Sequence, residues 1–507
     1  MFNTQIVARY LSPLQKEDAS YPTLLILIAG IVTLCTACNL IYNIFFHPLA
    51  SFPGPWLARS SLLWRVYHSQ SGRLHRAIET QHRKYGPVFR VSPNELSFAS
   101  VASWKDIYGF AGTHKQQTFV KSTFYNLYGA GFRSLCVGSE RDPRRHGGMR
   151  KSLSSAFSTK SLTEQEDIVS NTVDRFISRI RTVEGAKTKG LNITKWFEMV
   201  SFDVLAEMAF GSSFGSIEAG RTHSWPDLVV EHLYFITLAD NLHRIPLVPT
   251  IARILFPSLL VVQNSNSRYA RQQVAKRLEK ESPRKDFLMS LIAKLKEGQM
   301  ELEELTAHSS TLVIAGGETT ATTLAATTFY LLQNPECYEK LKHEVRERFK
   351  TYESINSTAA LQLPYLQAVI SEGLRIYPPG SQGFPRISPG AVVDGNYIPK
   401  GTEVYTSAWT ITHDPNNFHD PMAFKPDRWI DKDCKDIKEA SQPFSLGTRG
   451  CLGRNFAYMQ LSLMFTKMLW KYDLELLDKD LDWEGRSKMH LMWWKPSAYV
   501  RFIERAA

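Results

Sequence analysis

The chain has 507 residues, 43% of them hydrophobic and 12% aromatic, and a formal net charge of +11. The length allows a large core, and domain-size priors alone would permit two or three domains. A basic balance suits an anionic membrane or an acidic protein partner; with no long Lys/Arg run and no nucleic-acid motif, the sequence argues against nucleic acid.

The first 22 residues form a short N-terminal segment. Thr23–Phe46, TLLILIAGIVTLCTACNLIYNIFF, carries no charge. About 20 apolar residues cross a bilayer as a helix, so this stretch is long enough. A cleaved signal peptide would have a shorter apolar region and a basic start, and Lys16, Glu17 and Asp18 do not supply one. Residues 23–46 are therefore expected to be a membrane anchor. Arg59, Arg65, Arg73 and Arg76 follow before the first acid, Glu79. By the positive-inside rule the bulk of the chain is cytosolic, and the sequons at Asn192 and Asn356 go unused. Pro48, Pro53 and Pro55 stop helix continuation and predict a stiff hinge at the start of residues 47–507.

That remainder contains no linker or repeat and reads as one α-rich body. Helical periodicity predicts long helices over Ser161–Arg181, Leu302–Gln333, Cys337–Phe349 and Leu363–Tyr377. Short β-prone pieces lie at Val88–Val91 and around Val392–Val404, where DGNYIPKGTEV supplies turn residues. The six cysteines, at 35, 38, 136, 337, 434 and 451, are sparse and irregular, which suits a reducing compartment. Cys35 and Cys38 sit inside the apolar run and read as lipid-facing or core thiols. Cys136, Cys337 and Cys434 read as inert buried cysteines.

Cys451 is different. It stands in FSLGTRGCLGRNFA, Phe444–Ala457, between Gly450 and Gly453, two residues after Arg449 and seven after Phe444. A thiolate is a soft iron ligand, and haem iron held by Cys is a known ligation mode. Gly447, Gly450 and Gly453 let backbone approach a flat macrocycle. Phe444 can shield the sulfur, and Arg449 can pair with a carboxylate. LGRNFAYMQLSLMFTKMLW reads as a long buried helix whose N-terminus favours the thiolate. The pattern F-x-x-G-x-R-x-C-x-G arises by chance in on the order of one such chain in ten thousand.

FSLGTRGCLG resembles the haem-binding loop of the cytochrome P-450 monooxygenases. The resemblance implies a mainly α fold with a small β-rich part, here preceded by one transmembrane helix. It implies haem b, iron protoporphyrin IX, with Cys451 as axial ligand. Further motifs match in order. AGGETTAT, Ala315–Thr322, resembles the oxygen-activation motif, with Glu318 and Thr319 as an acid–alcohol pair that relays protons. Its two glycines cost a helix roughly 1 kcal/mol each; either close helix packing or a widened turn beside the haem would offset that. Glu372 and Arg375, at i, i+3, resemble a structural pair joined by a later arginine, which Arg428 in FKPDRW matches. Asp427 stands where Glu is more usual. His146 and Arg150 share a helix face and resemble a propionate grip, as does Arg386 in GFPRISP.

The resemblance implies a monooxygenase that takes electrons from a separate NADPH-cytochrome P-450 reductase, with cytochrome b5 as a second donor, since no G-x-G-x-x-G or flavin segment is present. A basic face would suit an acidic reductase. YNIFFHPLASFPGPW and VSPNELSFAS look like fungal microsomal members that tailor secondary metabolites, terpenoids or polyketides, at the endoplasmic reticulum. The aromatic segment Gln116–Phe132 is the expected roof of the pocket. Leu312, Val313 and Ala315 are its expected wall, and the stretches after Pro379 and near Met489 are expected to close it. These favour a hydrophobic, ring-bearing substrate. A haem-thiolate isomerase or dehydratase, and a non-enzymatic haem sensor or carrier, are the alternatives. The intact Glu318–Thr319 pair argues against both.

Overall fold

The computed structural model describes residues 20–110, 118–129, 131–245, 258–280 and 284–505. Residues 1–19 of the expected N-terminal segment lie outside these, as do Gln116, Gln117 and Ala130 of the expected roof. The chain opens with helix α1, Ser20–Ile41, which runs into a π-helical turn at Tyr42–Phe46. Over Thr23–Phe46 the mean hydropathy is 2.5 and Asn43 is the only buried residue, so this segment is long and apolar enough to cross a membrane. Cys35 and Cys38 lie on its exposed surface. The proline-rich stretch ends in a short helix, Trp56–Ser60.

A five-stranded sheet follows from residues far apart in sequence. Strands β1, Val88–Ser92, and β2, Glu95–Phe98, form a hairpin. The others are β3, Val120–Lys121, β4, Arg386–Ile387, and β5, Glu403–Thr406, in the order β1-β2-β5-β4-β3. Only β2 and β5 run parallel. The antiparallel register of β3 and β4 sets Lys121 directly opposite Arg386. Like charges facing across a ladder are destabilising, so this sheet edge needs a neutralising anion.

Five helices of the helical body position the site. Helix α2, Pro143–Ser154, begins where Asp142 caps it, accepting from the backbone N–H groups of Arg144 and Arg145 at 2.9 Å, with proline at the first position. Helices α3, Ile193–Phe210, and α4, Leu302–Gln333, pack along one another through the main core. Glu303 and Glu304 sit in the first turn of α4, where the helix dipole favours acid. Helix α5, Pro364–Ile376, and helix α6, Arg454–Lys471, complete that core. The predicted helix over 161–181 is Thr159–Thr182, and that over 337–349 is Pro335–Arg348.

Helix α4 is continuous α-helix across Gly316 and Gly317, without a widened turn. A Cβ at Gly316 would lie 2.9 Å from Leu205, and one at Gly317 would lie 2.7 Å from the Phe202 ring, both on α3. Close helix packing is what offsets the two glycines.

Candidate active site

A cavity of about 410 Å³ opens between α4, the Cys451 loop, the sheet and α2. Thr319 and Ala315 on α4 line it, with Cys451, Gly453 and Phe444 across from them. Phe124, Tyr125 and Tyr128 from the roof segment, Leu312 from α4, and Pro379 and Gln382 from the stretch after α5 complete the apolar wall. One expected wall residue is misplaced. Val313 is fully buried in the core and does not line the cavity. It lies one residue round the helix from Leu312, whereas the stretch near Met489 does reach the cavity, through Leu491 and Met492.

The Cys451 loop is held by its backbone. The Cys451 N–H donates to the Phe444 carbonyl at 2.8 Å, closing a turn around the arginine and glycines. Gly447 has φ +66°, and a Cβ there would lie 2.2 Å from the Tyr108 carbonyl oxygen, so only glycine fits. Gly453 caps α6, and its backbone N–H hydrogen-bonds the Cys451 thiol. A Cβ on Gly453 would meet no protein atom nearer than 3.9 Å. It would instead enter the cavity space 4.0 Å from Sγ, which a flat group over the sulfur needs. Burial pushes the Cys451 thiol up; the Gly453 N–H, Arg150 and Arg454 act against that without cancelling it. Cys451 lies two residues ahead of the helix cap, so the dipole alone does not ionise it.

Below the sulfur the cavity is crowded with cations. Lys121, Arg150, Arg386 and Arg449 all line it, and none forms an ion pair among the described residues. Lys121 donates to the carbonyls of Val137 and Gly138 at 2.8 and 2.6 Å. Burial, then Arg449 and Arg386, push its amine down to about 7. Arg449 donates to the carbonyls of Glu140 and Arg141 at 2.9 and 2.7 Å, and burial with the nearby Arg386 lowers it to about 10. Arg386 takes Tyr125 Oη at 3.0 Å. Arg150 donates to the Gly450 carbonyl at 2.6 Å, tying α2 to the Cys451 loop. His146 is neutral: burial, then Arg449, Lys121 and Arg150, push it down to about 3. The buried Glu140 offsets part of the charge on Lys121 and Arg449, and the remaining excess of cations is costly unless a further anion joins it. The cation cluster fits a group bearing carboxylates beside the sulfur. Lys121 belongs to this cluster, and its sequence neighbours gave no sign of it beyond an aromatic segment.

Elsewhere on the cavity wall charges are paired. Arg65 reaches Glu95 at 2.8 Å and Asp240 at 2.7 Å, and Arg244 reaches Glu403 at 2.6 Å. The contrast singles out the cations near Cys451.

The acid and the alcohol of α4 diverge. Thr319 faces the cavity and its hydroxyl donates to the Ala315 carbonyl at 2.6 Å, leaving the oxygen free to accept. Glu318 points away from the cavity into the protein, where Oε1 meets the Nζ of Lys495 and accepts from Thr322 Oγ1 at 3.2 Å. Burial raises the Glu318 carboxyl, against the pull of Lys495. Glu372 is fully buried on α5. Its carboxylate accepts from Arg375 Nε and Nη2 at 2.8 Å, Arg428 Nε at 3.2 Å and Trp429 Nε1 at 2.9 Å. Asp427 is exposed and pairs with Lys340.

A cysteine sulfur, a group of cations and a largely apolar wall that includes Thr319 of a long central helix now stand together, and residues 51–502 match the family model Cytochrome P-450. The chain belongs to the cytochrome P-450 family. Relatives agree along nearly the whole length. Cytochrome P-450 monooxygenase ORF9 of Penicillium roqueforti is 60% identical over 465 residues, 91% of each chain. Cytochrome P-450 monooxygenase BOT4 of Botryotinia fuckeliana is 54% identical over 461 residues, 91% of this chain and 88% of its own. Cytochrome P-450 monooxygenase BipB of Cochliobolus sativus is 36% identical over 504 residues, 96% and 98%. This cytochrome P-450 is a haem-dependent monooxygenase.

Proposed function

We propose that this cytochrome P-450 is a membrane-anchored monooxygenase that oxidises a hydrophobic small molecule in secondary-metabolite biosynthesis, of the terpenoid or polyketide type. The observation that carries this reading is the apolar, aromatic cavity wall facing Thr319 above Cys451. The cofactor is haem b, which when bound supplies activation of dioxygen and transfer of one oxygen atom to a C–H bond. Cys451 Sγ would hold the haem iron, and as a thiolate it would supply the electron density that dioxygen activation needs. Lys121, Arg386 and Arg449 would hold the propionates. Phe124, Tyr128 and Leu312 bind the substrate and exclude water. Thr319 presents its oxygen to the cavity and accepts a hydrogen bond there. Glu318, the preceding residue on α4, would pass protons toward that alcohol. Glu372, Arg375 and Arg428 keep the cysteine side of the core rigid.

The helix over Thr23–Phe46 supports anchoring in the endoplasmic reticulum membrane with the body in the cytosol, where an NADPH-cytochrome P-450 reductase, with cytochrome b5 as a second donor, provides electrons. Reconstitution with such a reductase and a library of apolar terpenoids and polyketides tests the reading. The expected result is a product heavier by one oxygen atom, formed with NADPH. Binding and turnover of small charged compounds alone would refute it. Removal of residues before Ser51 is expected to give a soluble protein that keeps its haem spectrum.

A further inference from the structure

Lys495 is a lysine with 1% side-chain exposure, set just after the strand Met492–Trp494 near the end of the chain. A lysine is almost never so buried unless it is paired. Its Nζ contacts Glu318 directly, lies 3.5 Å from Glu198 Oε1, and reaches Thr322 Oγ1 at 3.2 Å and the Trp493 carbonyl at 3.3 Å. Glu198 is on α3 and also takes the Nζ of Lys195 at 2.8 Å. Exposure of these side chains drops from 53% at Lys195 to 12% at Glu198, and Lys495 and Glu318 are both buried, at 1% and 2%. The groups thus form one line of contacts from the surface to the acid behind Thr319. Glu318 Oε2, at the inner end, is buried and has no hydrogen-bond partner among the described residues.

Two observations argue that this line is more than a structural clamp. An apolar residue would fill the volume of Lys495 at less desolvation cost than a buried ion pair. The groups also alternate in chemistry: acid, amine, acid, each able to give and take a proton. We propose that Glu198 and Lys495 are positioning residues that deliver solvent protons to Glu318. The proposal rests on the reading of Glu318 and Thr319 given above. Lys495 Nζ gives a proton to Glu318 Oε1, breaking an N–H bond and forming an O–H bond. The freed amine lone pair is reprotonated from the Lys195 ammonium by way of the Glu198 carboxylate, which takes that proton and gives it up again, and Lys195 recovers its proton from solvent. No electron moves along this line.

The test uses the full-length haem-loaded protein with an NADPH-dependent reductase, NADPH and dioxygen. Two readouts are taken: hydrogen peroxide released per NADPH oxidised, and the infrared carboxyl bands of the protein. Peroxide release and bond cleavage each consume two electrons and two protons and differ in whether the protons go to separate oxygen atoms or to one, so misdirected delivery through a damaged relay raises the peroxide fraction. Lys495→Arg keeps the charge but cannot release a proton, and Glu198→Gln keeps the shape but breaks the entry. Each is expected to slow proton-limited NADPH oxidation by about tenfold or more and to raise the peroxide fraction as far as Glu318→Gln does. Glu198→Gln combined with Glu318→Gln should be no worse than Glu318→Gln alone, because the steps are in series. In Lys495→Met a carboxylic-acid band absent from wild type should appear at neutral pH and vanish on adding Glu318→Gln. Glu318→Gln impaired while Glu198→Gln and Lys495→Arg match wild type would overturn the relay and leave the acid–alcohol reading standing. Glu318→Gln matching wild type would overturn both. An unchanged carboxyl region in Lys495→Met would overturn the coupling of Lys495 to Glu318.

Discussion

Lys121 faces Arg386 across two short strands and forms no ion pair among the described residues; the nearby Glu140 offsets its burial and the two arginines only in part, so its charge destabilises the haem-free fold. The relevant perturbation is Lys121→Met, followed by unfolding at a series of pH values. Burial and the two arginines lower the amine from 10.5 to about 7 in the folded chain, a difference of roughly 5 kcal/mol between the protonation states. Between those two values the unfolded chain binds a proton that the folded chain does not. Stability of the haem-free protein therefore rises with pH across about 7 to 10.5, by up to about 1.4 kcal/mol per pH unit from this group. Lys121→Met removes that slope. Haem removes it too, because propionates beside Lys121 restore its ordinary basicity. The assay is denaturant unfolding of haem-free and haem-loaded protein, wild type beside variant, with the slopes compared between pH 7 and 10. Equal slopes in haem-free wild type and variant would refute the reasoning, and so would a wild-type slope that haem leaves unchanged.

Three further outcomes follow from the same coordinates. Gly447→Ala puts a Cβ 2.2 Å from the Tyr108 carbonyl at φ +66°; it should cost about 3 kcal/mol or more and abolish haem loading, read as the Soret-to-protein absorbance ratio. Glu372→Ala strips the carboxylate from two buried arginines and should destabilise by about 3–5 kcal/mol, seen as loss of folded protein, with Glu372→Asp intermediate. His75 and His413, pushed down to about 3, and His82, to about 4, are all lowered chiefly by burial. Their unfolded forms take up protons first as the pH drops below about 6.5, so stability falls with pH over the window from 6.5 to 4. The three together should remove roughly 4 kcal/mol at pH 5.5 relative to neutral pH; a melting temperature unchanged between pH 7.5 and 5.5 would contradict their neutral burial.

The parts of this cytochrome P-450 that its sequence makes legible are those set by local chemistry. Periodicity places the helix Leu302–Gln333 at its observed ends, and the glycine spacing around Cys451 marks a tight turn that the Tyr108 carbonyl enforces. The parts that stay hidden depend on partners far along the chain. The glycines at 316 and 317 fit either close packing or a widened turn in the sequence, and only Leu205 and Phe202 on another helix decide for packing. Lys495, between Trp494 and Pro496, looks like a surface lysine, and nothing near it in sequence announces Glu318. Lys121 becomes part of a cation cluster only when β3 pairs with β4, some 265 residues later. Val313 and Leu312 are adjacent in sequence, and only the helix's rotation against α3 decides which one faces the cavity.

The central claim is that Cys451 ligates haem iron through its thiolate. The measurement that tests it most directly is the carbon monoxide difference spectrum of the reduced protein, wild type beside Cys451→Ser. A strongly red-shifted Soret band in wild type and its absence in the variant is the predicted result. An ordinary, unshifted band in well-folded wild type would contradict the claim.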